Sequence, residues 1–368
     1  MTMHPIPPEA EERLPAPGKL TGKGARFLLA RYPIWPIVDH LAQKVVPRHR
    51  HSLWYNIGGI ALFLLVVQLV TGVLLMVYYR PAQPWGSVQR IVMEVPFGTL
   101  IRSIHHWAAN LMVLALLVHL FSTFFMKAYR VPRELTWVSG LALLGLTLAF
   151  AFSGYLLPWD ELSFFATRVG VSEIEKGPVL GPWLANLARG GPDVTVDTIG
   201  RFYLLHVTVL PAVLLGVLGI HLLFIQIQGV SEPDSFAAQP EHDKRYKKFF
   251  SEFLLAEVPV WLFLSVLLVA LAALWPRELS PEADPFASAP EGIKPEWYFL
   301  SQFQLLKLFP GNIELVGITL LALLPVALLV VPFVDRAVPS DGRGRIVTVL
   351  GGFALLGLIF FTVWGWLS

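Results

Sequence analysis

Residues 102–126 read RSIHHWAANLMVLALLVHLFSTFFM, and residues 201–228 read RFYLLHVTVLPAVLLGVLGIHLLFIQIQ. Each is long and apolar enough to cross a bilayer as a helix, which takes about twenty mostly apolar residues. The first carries His105, His106 and His119, the second His206 and His221. His105 and His119 stand fourteen residues apart, His206 and His221 fifteen. A helix advances about 21 and about 22.5 Å over those intervals and nearly completes whole turns, so each pair lies on one helical face. Ionisable side chains inside a span are costly and mark function. A lone histidine there reads as a hydrogen-bonded core residue; two matched pairs at nearly one interval do not.

Working outward, seven stretches qualify as spans, at roughly residues 54–79, 103–126, 136–157, 202–228, 254–275, 313–334 and 345–367. An all-α integral membrane protein is the expected fold. The second and fourth spans run in the same direction. His105 is then level with His206 near one surface, and His119 with His221 near the other. Imidazole is a natural haem ligand, and facing helices of a four-helix bundle are where such cofactors sit. The expectation is two b-type haems, an outer one on His105 and His206 and an inner one on His119 and His221. His106 points about 100° away from its neighbour and is not a ligand.

Glycines share the interval: Gly58 and Gly72 in the first span, Gly140 and Gly154 in the third. They read as clearance for a flat macrocycle, against the background of small-residue packing common between membrane helices. Arg102, one turn before His105, is a candidate partner for the propionates of the outer haem, as is Arg201 before His206. Arg133, between the second and third spans, is the candidate at the inner haem.

Composition bounds the alternatives. The chain is 55% hydrophobic and 15% charged, with mean hydropathy +0.61, so lipid is its solvent. It has no cysteine, which excludes disulfides, iron–sulfur ligation and covalent c-type haem attachment. No basic run with interleaved aromatics suggests nucleic acid. Ile37, Val38, Leu41, Val45 and Val46 recur at helical spacing and suggest an amphipathic surface helix before the first span. Of the 28 Lys and Arg, eighteen fall on the side of the N-terminus, so the positive-inside rule places that end in the cytoplasm and the C-terminus outside. The most polar linker divides the chain into residues 1–52, a four-span part 53–228, a cytoplasmic linker 229–252 and a three-span part 253–368.

With these residues stand several separated motifs: Arg102-Ser103-Ile104-His105, Pro132-Arg133-Glu134-Leu135-Thr136-Trp137, Gly154-Tyr155-Leu156-Leu157-Pro158-Trp159-Asp160, Arg201-Phe202-Tyr203-Leu204-Leu205-His206 and Pro295-Glu296-Trp297-Tyr298. From about Leu53 almost to the C-terminus the chain resembles cytochrome b of the respiratory and photosynthetic bc/bf complexes. The fifteen-residue step and the seven spans resemble the photosynthetic four-span and three-span proteins joined in one chain. That subgroup has a Cys where this chain has Asn56, which speaks against a third haem, and basic residues where this chain has Gln226 and Ile227.

The resemblance implies a quinol-oxidising subunit of a bacterial cytoplasmic-membrane complex coupled to proton translocation. Quinol would give one electron to a Rieske iron–sulfur protein and the other through two haems to quinone at the inner side. It also implies a c-type cytochrome subunit and a homodimeric complex. By resemblance Glu296 accepts the quinol proton, with Tyr155 and Tyr298 beside it. Trp159 and Pro295 would line the outer pocket, and Gln226 and Glu257 the inner quinone site. Two other readings differ in what they require. A dihaem anchor of another quinone-linked oxidoreductase would need no outer Pro-Glu-Trp-Tyr loop. A proton-coupled transporter would bind no haem and would gather its polar residues near the midplane.

Overall fold

The computed structural model describes residues 43–336 and 343–368. Among them seven helices are long and apolar enough to cross a membrane: Ser52–Tyr78, Gly98–Phe125, Glu134–Leu156, Val196–Gln228, Phe249–Leu274, Gly311–Val334 and Gly344–Leu367. They fall on the seven expected stretches. The second and fourth start before their apolar runs because the polar turns holding Arg102 and Arg201 continue the helix. In lipid every backbone polar group must be satisfied within the segment, which is why such runs form helices. Their outward faces stay apolar and exposed, as at Val66, Leu223, Phe263 and Phe353.

The described chain divides into two compact units. One contains residues 43–46 and 246–255. There Val45 and Val46, in the short strand Val45–Pro47, pair with Tyr246–Lys248. This replaces the end of the expected surface helix; the rest of that helix lies outside the described residues. The other unit, Pro47–Arg245 with Ala256–Ser368, holds everything below.

In it, α1 (Asn56–Tyr78) packs along α2 (Gly98–Phe125), and α7 (Leu210–Gln228) along α3 (Glu134–Leu156). Between α3 and α7 come α4 (Glu161–Glu175), α5 (Gly181–Arg189) and α6 (Val196–Leu204). Leu156, Trp159, Phe164, Phe165, Val171, Ile199 and Phe202 form their common core. Asp160 caps α4 in a capping box with Ser163. The segment after α8 (Leu255–Leu274) is stitched to it: Glu161 N–H donates to the Pro281 carbonyl at 2.9 Å, and Ala283 N–H to the Trp159 carbonyl at 3.1 Å. This seam sets the loop leading to α9 (Trp297–Leu306) against the end of α3.

α6 does not run into α7 as a plain α-helix. Leu205–Val209 forms a π turn, with Pro211 two residues beyond it. Proline has no N–H to return to the carbonyl four residues back, and its ring crowds that carbonyl. A π turn absorbs the one extra residue. The fifteen residues from His206 to His221 therefore advance like the fourteen of α2. That accounts for two unequal intervals meeting two common levels.

At the other end, Asp335, after α10 (Glu314–Val334), is buried among three donors from the α2–α3 connection. Arg130 Nη2 lies 2.8 Å and Lys127 Nζ 3.3 Å from its carboxylate, and the Tyr129 hydroxyl donates to it. Burial pushes this carboxyl up, and the three donors outweigh it and hold it below the usual Asp range. α11 (Arg343–Leu367) follows and packs mainly on α9.

Candidate functional site

α1 lies antiparallel to α2, and α3 to α7, so the glycine and histidine intervals run against each other. A Cβ on Gly72 would sit 3.4 Å from the His105 ring, and one on Gly58 3.4 Å from the His119 ring. On the other pair, Gly140 meets the His221 ring at 3.3 Å and Gly154 the His206 ring at 2.5 Å. The four glycines make room first for the imidazoles themselves. The structure brings all eight residues into two tiers.

Hydroxyls next to three of the glycines orient the rings. His105 Nδ1 is 2.8 Å from Thr71 Oγ1, His221 Nδ1 2.9 Å from Ser139 Oγ, and His206 Nδ1 3.1 Å from Ser153 Oγ. Each hydroxyl spends its own hydrogen on a carbonyl of its helix, those of Val67, Thr136 and Phe150. Each can then only accept from the imidazole, so the proton sits on Nδ1 and the Nε2 lone pair is free for a metal. The fourth ring differs: Ile57 precedes Gly58, and the His119 Nδ1 is buried without a partner.

The donor set fits a haem. The His105 and His206 ring centres are 6.4 Å apart, and an iron between two imidazoles at metal–nitrogen distances of about 2 Å needs roughly 6 Å. His119 and His221 are close enough to feel each other electrostatically.

The arginines expected at the propionates donate to backbone carbonyls in this structure. Arg102 donates to the carbonyls of Arg277 at 2.5 Å and Glu278 at 3.3 Å. Arg133 reaches the carbonyls of Gln228, Gly229 and Val230 at the end of α7, and Arg201 donates to the Leu187 carbonyl at 3.1 Å.

Around Glu296, which precedes α9, the structure gathers Tyr298, Tyr155 and Asp160, and also Arg277, which sequence reasoning missed. Glu296 Oε1 is 3.7 Å from Arg277 Nη2. Burial pushes the Glu296 carboxyl up, Arg277 opposes that and Asp160 adds to it; the result is above the usual Glu range. Burial likewise raises the Tyr298 phenol. Trp159 is buried in the core under α4, and Pro295 directly precedes Glu296, the N-cap residue of α9. Trp297 Nε1 donates to Asn110 Oδ1 on α2 at 2.7 Å. An apolar groove of about 810 Å³ lies along α2 and α11, with Trp297 and Tyr298 among its lining residues.

Toward the opposite face, Glu257 is buried directly against Gly59, where a Cβ would overlap its carboxylate. Gln226 is half-buried on α7, five residues beyond His221. Gly59 was not singled out from the sequence, although its place beside Gly58 was the available signal.

Comparison with known proteins agrees with this architecture. The family model "Cytochrome b/b6/petB" matches residues 41–229, and "Cytochrome b(C-terminal)/b6/petD" matches residues 282–368. The chain is 47% identical over 335 residues to a cytochrome bc complex cytochrome b subunit of Chlorobaculum thiosulfatiphilum, covering 90% of this chain and 78% of the relative. It is 39% identical to a menaquinol:cytochrome c reductase cytochrome b subunit of Geobacillus thermodenitrificans, covering 55% of this chain and 92% of that one. A solved hyperthermophilic respiratory Complex III superposes with a TM-score of 0.80 at 27% identity, over 93% of this chain and 91% of that one. With one family model spanning the histidine tiers and the other the Glu296 helix, the chain belongs to the cytochrome b family.

Proposed function

We propose that this chain is the quinol-oxidising subunit of a bc-type complex, taking electrons from quinol at the Glu296 pocket and carrying one of each pair across the membrane. The family implies haem b and quinone binding and other subunits of a complex. In this reading His105 and His206 hold the outer haem, and His119 and His221 the inner one. Haem b supplies a one-electron carrier at each depth.

The observation that carries the reading is how the pocket is tied to the outer tier. Arg277, the ion partner of Glu296, accepts from Arg102 through its carbonyl and donates from its N–H to Ser103 Oγ at 2.9 Å. Both partners lie within one turn of His105. A quinol in this pocket gives up its proton and its electron within one small region. Glu296 is the proton acceptor there, since its half-shielded carboxylate stands beside Tyr155 and Tyr298 with a raised pKa, nearer that of its substrate. The groove ending at Trp297 and Tyr298 offers a lipid-borne quinol an apolar approach. Buried Glu257 against Gly59, with Gln226 on α7, is the candidate inner quinone site.

A Rieske protein receives the other electron, docking on the loops that carry Asp160 and Glu296, and a c-type cytochrome subunit and a second copy complete the complex. The excess of Lys and Arg places the N-terminus in the cytoplasm and the Glu296 pocket outside. Asn56 leaves no tether for a third haem. The chain reads as the four-span part 53–228 joined through 229–252 to the three-span part 253–368.

The test is Glu296→Gln in the purified complex. Quinol oxidation falls by about 10²-fold or more, as expected for loss of a general base, while both haem bands remain. Unchanged turnover would refute the assignment of Glu296 and with it the pocket.

A further inference from the structure

Arg277 is the third residue past the end of α8 and belongs to none of the motifs that carry the family resemblance. Its backbone is held independently of its side chain, through Ser103 and Arg102 on α2. The guanidinium is therefore not needed to fasten the loop. It turns instead into the outer pocket, 3.7 Å from the Glu296 carboxylate, and faces the Tyr155 hydroxyl. Its side chain is 30% exposed and that of Glu296 17%, so water screens the pair only partly.

The other charged and titratable groups facing this site are Asp160 from the start of α4, Tyr155 from α3 and Tyr298 from α9. His106 and Arg102 of α2 lie next to Arg277. Arg102 is occupied by two carbonyls. Asp160 accepts from Ser163 N–H at 3.0 Å and Ser280 N–H at 3.4 Å. Its charge is nonetheless of the same sign as Glu296 and favours the protonated acid. Of the groups around Glu296, Arg277 supplies the opposing cation.

We infer that Arg277 is a positioning residue of quinol oxidation, holding Glu296 at the pocket as an ionised proton acceptor against the burial and the Asp160 charge that would neutralise it. This rests on the reading of the Glu296 pocket given above. A nearby opposite charge favours the ionised form of a buried acid. At 3.7 Å the contact is longer than a charge-assisted hydrogen bond, so the carboxylate's lone pairs stay available to the substrate. The quinol O–H bond then breaks as its proton passes to the Glu296 carboxylate, leaving the quinol anion and the neutral acid, and the two electrons leave for the iron–sulfur and haem acceptors named above.

The experiment is the pH dependence of kcat/KM for quinol oxidation in the intact complex, for the wild type, Arg277→Leu, Arg277→Lys and Glu296→Gln, with haem content measured alongside. In Arg277→Leu the acid limb moves up by about one pH unit. Activity below the limb falls about tenfold, the alkaline plateau is kept and haem content is unchanged. Arg277→Lys keeps the limb near its wild-type position. Should Arg277→Leu assemble poorly, Arg277→Gln is read in the same way. An acid limb that stays in place in the uncharged variants, while Glu296→Gln still abolishes most activity, overturns the role of Arg277 and leaves the pocket standing. A wild-type profile in Glu296→Gln overturns the pocket reading itself.

Discussion

At the scale of single residues, the hydroxyls behind the histidines decide more chemistry than the histidines' positions alone. Thr71, Ser139 and Ser153 each give their hydrogen to a backbone carbonyl and accept from a ring Nδ1. Such an acceptor makes a bound imidazole a stronger electron donor, which favours oxidised iron. Thr71→Val removes the acceptor behind His105 while keeping its volume. The outer haem's midpoint potential then rises, on the order of tens of millivolts, and the inner potential stays put; a redox titration of the two bands checks it. The histidines and glycines were legible because their spacing is a one-dimensional signal. The hydroxyls were not, because only antiparallel packing shows that the residue before three of the glycines faces a ring. Arg277 was hidden for a similar reason, since its contact to Glu296 crosses a loop seam that no periodicity encodes.

At the scale of elements, the span boundaries followed from apolar length and the expected stretches match the helices closely. What the apolar pattern did not convey was the π turn at Leu205–Val209. Pro211 stands in the fourth span, yet a proline alone does not say whether a helix kinks, ends or absorbs a residue. The structure answers that it absorbs one, which reconciles fifteen residues with fourteen. This has a length-dependent consequence. Deleting Val209 restores a fourteen-residue interval and leaves both haems in place. Inserting an alanine after Val209 turns His206 about 100° further away from the His221 face and costs the outer haem. Optical spectra of the two variants, normalised to protein, distinguish these outcomes. Loss of haem in the deletion with retention in the insertion would contradict the register argument.

At the scale of the whole molecule, the second unit ties its two ends differently. On one side, backbone bonds between the α3–α4 turn and the loop after α8 set Glu296 and Tyr155 in one pocket. On the other, Asp335 takes three donors from the α2–α3 connection. Between them stand two histidine tiers, in which the rings of His105, His206 and His221 present a free Nε2, at depths fixed by the helical rise. The central claim is that these tiers form an electron path across the membrane, and haem stoichiometry tests it most directly. Reduced-minus-oxidised spectra of the purified protein should give two low-spin b haems per chain, falling to one in His119→Ala or His221→Ala. A wild-type chain without haem, or an inner-tier variant that keeps both, would contradict the account.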